Sequence, residues 1–156
     1  MRMLTSWVAG TAITLALTAT GNAQTQGIAD TEIVLGTHTS CRVPDTEDEF
    51  LINPYGLLFD EITASALIKC DVDGRKLSES PYEVNEAGFT IHSAIHMGAP
   101  AAHAVMHCHT QYGVAVSSQK QGLLPITQMA LTALDLVRYH DYEGVAQDLD
   151  ERERLV

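Results

Sequence analysis

The tetrapeptide Met106-His107-Cys108-His109 carries the most legible chemistry in this chain. Side chains alternate along a strand, so His107 and His109 face one way and Cys108 the other. Strand rise alone sets the two histidine Cα atoms about 6.5–7 Å apart. Two neutral imidazoles at that spacing can chelate one divalent ion, zinc or another late first-row metal. The competing reading is a pair of partly exposed strand histidines. A second pair, His92 and His96, stands at i, i+4 and shares one helix face. Zinc proteases use that spacing with a Glu directly after the first His, but here Ser93 follows His92. This pair is therefore expected to be structural, with one ring packed and one hydrogen-bonded. His38, His103 and His140 stand alone in the sequence and are given no role.

These side chains need elements to hold them. The run 86–98, "EAGFTIHSAIHMG", has no breaker from Phe89 to Met97 and predicts a helix closed by Gly98 and Pro100. It sets Phe89, His92 and His96 on one face. The run 102–109, "AHAVMHCH", predicts a strand. In 66–77, "ALIKCDVDGRKL", two strand-like arms flank Asp73-Gly74, the usual signal of a hairpin. Asn53-Pro54 and Gly56 break the apolar run 50–62 with a turn. "QYGVAVSSQKQG" predicts a short helix ending at Gly122, and "DLDERERLV" another that Asp148 or Asp150 caps. Strands and helices are mixed without a βαβ repeat, so the class is α/β or α+β.

Composition narrows the partners. The 156 residues suffice for one domain with a real core. Acidic residues outnumber basic ones by 20 to 9, for a net charge of −11. Nucleic acid is excluded as a partner, because phosphate binding needs a basic face. The acidic run Asp45, Glu47, Asp48, Glu49 reads as a solvated loop. Cys41, Cys70 and Cys108 form no disulfide framework, and reduced thiols are expected.

Residues 1–23 have one charge at Arg2, a short apolar run from Trp7, and small residues leading to Ala23. That is the pattern of a signal peptide, which predicts a periplasmic or otherwise exported chain with no membrane span once the leader is removed. Residues 24–39 include "GIADTEIVLG" and resemble the mature start of periplasmic solute-binding proteins of ABC transporters. The body that follows, residues 40–156, is cytoplasmic in type.

In that body, "SCRVPDTEDEFLINPYGLLFDEITAS", "GFTIHSAIH", "AVMHCHT", "GLLPITQMAL" and "YHDYEGVAQDLDERERLV" occur in order. Together they resemble the class II aldolase/adducin family, in its adducin-like bacterial branch. The resemblance implies a three-layer α/β/α domain around a mainly antiparallel sheet, here incomplete at both ends. It also implies self-association into a ring tetramer and a zinc-type ion that acts as a Lewis acid on substrate oxygens. His107 and His109 match the first two metal ligands. The third, a His in an "NHGL"-like stretch, falls after Val156, which implies a weakly held ion. The acid/base Glu of the family corresponds to Gly88. The nearest carboxylate is Glu86, which on a helix points about 200° away; it is the candidate catalytic acid. The family's phosphate-binding positions fall at Thr37, His38, Glu86 and Ala87, and the catalytic Tyr of the sugar-phosphate aldolases falls at Met129. A carboxylate at position 86 repels a phosphate.

Three functions are therefore expected to compete. The first is a divalent-metal-binding domain of aldehyde-lyase ancestry, weakly active or inactive, with a small carbonyl or hydroxy-aldehyde substrate. The second is a non-catalytic, adducin-like interaction or scaffold domain. The third is an exported solute-binding-protein fragment, supported by residues 1–40 alone.

Overall fold

The computed structural model of the chain describes residues 37–156 and the backbone of residues 2–6. Except for that short backbone stretch, the expected leader and the solute-binding-like segment up to residue 36 lie outside the described residues.

Four strands form the main sheet: β2 (His38–Arg42), β3 (Glu49–Ile52), β4 (Ile68–Asp71) and β5 (Ala104–His107). Their order is β4-β3-β2-β5, and every neighbouring pair is antiparallel. Period-2 alternation decides which face is buried. Phe50 and Ile52 of β3 pair with Cys70 and Ile68 of β4, and the four make one core cluster. Ser40 of β2 sits opposite Ile52 and also opposite Val105 of β5, so this apolar face continues across the sheet. On β2 the same face carries polar groups, because His38 and Ser40 are its buried residues.

Helix α1 (Glu86–Gly98) covers that face. Asn85 caps it, its side chain accepting a hydrogen bond from the Gly88 N–H at 2.9 Å. Phe89 stacks on Phe50 with ring centroids 6.3 Å apart. The helix begins at Glu86, one turn before Phe89, where the breaker-free run starts. Its other side packs Ile91 and Ala94 against Ala146 and Leu155.

Four further elements differ from expectation, the first being the helix expected to end at Gly122, which stops at Ser117. The strand expected over 102–109 covers only Ala104–His107, and His109 follows its end. The second arm of the expected hairpin shrinks to one bridge, Cys70 to Lys76, because Asp71 Oδ1 takes the N–H groups of Asp73 and Arg75 and closes the turn locally. The segment after Asp148 forms a 3₁₀ turn, Leu149–Glu153, rather than an α-helix, with Asp148 as its cap. Helices α2 (Gln111–Ser117) and α3 (Gln128–Leu134) are capped by Thr110 and Thr127. A separate two-stranded sheet pairs β1 (Arg2–Ser6) with β6 (Val137–Asp141). Cys41, Cys70 and Cys108 are free thiols, and only Cys70 is buried. No helix among the described residues is long and apolar enough to cross a membrane.

Candidate metal centre

The end of β5 delivers His107, and the connection to α2 delivers His109. Although His109 lies past the strand, the two Nε2 atoms are 2.7 Å apart, and the ring centroids are 4.6 Å apart at 72°. At that distance one Nε2–H donates to the other's lone pair. Both ring edges thus address one point.

His38 lies behind them. The β2–β5 register sets it directly opposite His107. Its ring stacks on the His107 ring, with centroids 4.4 Å apart and planes 12° apart. From His38 a hydrogen-bonded chain runs into the core. His38 Nδ1 and His92 Nε2 are 2.7 Å apart. His92 Nδ1 meets Ser40 Oγ at 2.5 Å, and Ser40 Oγ meets His96 Nε2 at 2.8 Å. Both residues of the His92/His96 pair are therefore hydrogen-bonded as well as packed, and His96 also lies 4.8 Å from the Phe50 ring centroid.

Burial dictates the charge state of the cluster. His92 is fully buried, His96 is 2% exposed and His38 is 3% exposed. A buried imidazolium loses its hydration, so the charged form is disfavoured. Burial, then the neighbouring His107 and His109, pushes His38 down to about 3. Burial, then His38, His96 and His107, pushes His92 down to about 2. Burial, then the Arg42 guanidinium, brings His96 to about 4. Burial, then His109, brings His107 to about 4. At neutral pH all four rings are neutral, and each offers one N–H and one lone pair.

Neutral imidazole is the form that ligates a metal, so His107 and His109 fit a divalent ion as two nitrogen donors. Among the described residues, no group of three His, Cys, Asp or Glu side chains stands close enough to complete such a site.

The acid/base candidates are arranged differently. Gly88 is buried on α1, and a Cβ there would come within 3.0 Å of His38 Cδ2 and 3.1 Å of Cγ. The His38 imidazole thus fills the space that a side chain at position 88 would enter. Glu86 is exposed, and its Oε2 accepts from Gln147 Nε2 at 3.4 Å. Its side chain has no hydrogen bond or ion pair with the histidine cluster. Met129 lies on α3 and is 76% exposed.

His38 and Ser40 join the site as buried hydrogen-bonding partners, where the sequence reading assigned Ser40 no role and His38 only the phosphate position that the resemblance implies. Their i, i+2 spacing on a strand, a polar pair on one face, was the available signal. The partner strand and register were not.

A model of the class II aldolase and adducin N-terminal domain matches residues 26–155. A Caulobacter vibrioides protein whose name assigns it to aldolase class 2 is 57% identical over 120 residues, covering 77% of this chain and 47% of that protein. Rat alpha-adducin is 45% identical over 117 residues, covering 74% of this chain and 16% of its own length. The chain thus spans less than half of either relative. Among solved structures, an aldolase II superfamily protein from Pseudomonas syringae superposes with a TM-score of 0.74 at 51% identity, over 81% of this chain and 52% of that one.

Proposed function

The chain belongs to the class II aldolase and adducin N-terminal domain family, and we propose on that premise that it is a divalent-metal-binding domain of aldehyde-lyase ancestry. His107 and His109 are two of the ligands, and zinc is the ion. The observation that supports this reading is the convergence of the two Nε2 atoms to 2.7 Å, with burial keeping the His107 ring neutral. An ion held there supplies Lewis acidity toward carbonyl and hydroxyl oxygens. The protein's own part is to bring two ring nitrogens to one point, and to keep the His107 ring from becoming a cation at neutral pH. A small hydroxy-aldehyde or carbonyl ligand and self-association belong to the same proposal. Export directed by residues 1–23 is a separate part of it.

Calorimetric titration with zinc tests the site. The parent chain is expected to bind, and the His107→Ala/His109→Ala double variant to lose the binding. If the double variant holds zinc as tightly as the parent, the assignment to this pair is wrong.

A second reading, a non-catalytic interaction domain like that of the adducins, draws on one observation. Position 88 has no side chain, and Glu86, the nearest carboxylate in sequence, lies outside the histidine cluster, beside Gln147.

A further inference from the structure

A metal-bound imidazole is usually steadied through its second ring nitrogen, which donates to a carboxylate, a carbonyl or water. Among the described residues no protein group gives His107 that support. Its Nε2 faces His109, and among the described residues no hydrogen bond holds its Nδ1. What meets the ring instead is the flat face of His38, nearly parallel at a centroid distance of 4.4 Å.

His38 is itself well fixed. Its Nδ1 is hydrogen-bonded to His92 Nε2 at 2.7 Å. His92 is in turn held by Ser40, and Ser40 by His96. On the helix side, Gly88 brings the α1 backbone so close that an added Cβ would stand 3.0–3.3 Å from three atoms of the His38 ring. The ring therefore has no room to retreat toward the helix. A glycine at 88 makes the approach possible, and the approach makes His38 a rigid wall.

We propose that His38 is a positioning residue: backed by Gly88 and tied to His92, it holds the His107 ring in the orientation that aims Nε2 at the shared point with His109. The inference rests on the reading of His107 as a metal ligand. It adds that the ring's orientation is set by stacking from β2 rather than by a hydrogen bond to Nδ1.

The test uses the full chain with cobalt(II) as a spectroscopic probe. Removing an outer-shell partner of a metal ligand typically costs ~10–100-fold in affinity. His38→Ala is expected to weaken cobalt binding by that factor and to change the visible absorption of the bound ion. Gly88→Ala keeps every imidazole but presses a methyl group on the His38 ring. It is expected to shift the spectrum and weaken binding several-fold, and to have no further effect in the His38→Ala background. A His38→Ala chain with the parent's affinity and spectrum overturns the proposal. If His38→Ala does not fold, Gly88→Ala decides alone, and an unchanged cobalt spectrum overturns it. If the parent takes up no cobalt, the metal reading fails. His38 is then judged by NMR of the metal-free protein. A single His107 ring orientation that becomes averaged in the variants supports positioning; an orientation unchanged in both variants refutes it.

Discussion

Burying four imidazoles side by side is costly unless they are neutral and hydrogen-bonded, and the chain meets both conditions for His92 at both ring nitrogens and for His96 at Nε2. Ser40 is the joint between them. Its hydroxyl, at once a donor and an acceptor, bonds a ring nitrogen of each, so it satisfies two buried groups that nothing else in the cluster reaches. This arrangement makes stability depend on pH, with a definite sign. In the unfolded chain each His binds a proton near pH 6.5. In the folded chain His92 and His96 bind theirs only near pH 2 and pH 4, because burial, followed by neighbouring positive charge, disfavours the cation. Below pH 6.5 the unfolded state therefore holds more protons. The stability is fully present above that pH and is lost as pH falls toward the folded values. Each histidine contributes a slope of about 1.4 kcal/mol per pH unit at most. Urea unfolding of the parent at pH 7.5 and pH 5 is expected to show a clearly lower midpoint at pH 5. His92→Phe is expected to be less stable at pH 7.5, because it leaves His38 and Ser40 short of a partner, but to lose less on acidification. An equal loss in both chains would show that His92 is not the group that titrates.

At the scale of the element, α1 matters most, since it supplies Gly88, His92 and His96 to one site. Its start depends on Asn85, whose carbonyl oxygen takes the Gly88 N–H at 2.9 Å. Loss of such a cap costs about 0.5–2 kcal/mol. Asn85→Ala is expected to lower the unfolding free energy by that amount, and Asn85→Ser to restore nearly all of it, measured by urea titration at pH 7.5. An Ala variant as stable as the parent would mean that packing of Phe89 on Phe50 alone sets the helix start. The body of α1 was legible from its unbroken run, and its face from the spacing of Phe89, His92 and His96. Its first turn, Glu86-Ala87-Gly88, includes a glycine, a poor helix former, and the Asn85 cap fixes where that turn begins. The HxH pair was legible because period-2 alternation is local. The place of His38 was not, since it depends on the pairing of β2 with β5, whose residues His38 and His107 are far apart in the chain. No local pattern encodes which strand lies beside which, or in what register.

At the scale of the whole molecule, the proposed reading puts His107 and His109 at two of the family's metal-ligand positions, while the positions that the resemblance gives to proton transfer and phosphate binding hold Gly88, Thr37, His38, Glu86 and Ala87. Cleavage of a phosphorylated sugar needs a held metal, a group that moves a proton, and charge to receive the phosphate. His107 and His109 address the first requirement under the proposed reading. The second falls, by the same resemblance, at Gly88, which has no side chain, and a general acid or base is worth about 10²–10⁴ in rate. The third meets a neutral, buried His38 and an exposed Glu86, on a chain of net charge −11. No steady turnover of fuculose-1-phosphate-type substrates is therefore expected in a coupled assay with added zinc. Restoring a carboxylate with Gly88→Glu is not expected to create activity, because the new Cβ would stand 3.0 Å from the His38 ring and force it aside. The same substitution should instead destabilise the fold. Turnover by the parent that Glu86→Gln abolishes would overturn this account and make Glu86 the acid, which would require its carboxylate to leave Gln147 and turn inward. Turnover that ignores Glu86 but disappears with His107→Ala would mean that the metal and the water it binds suffice, and that position 88 no longer limits the chemistry.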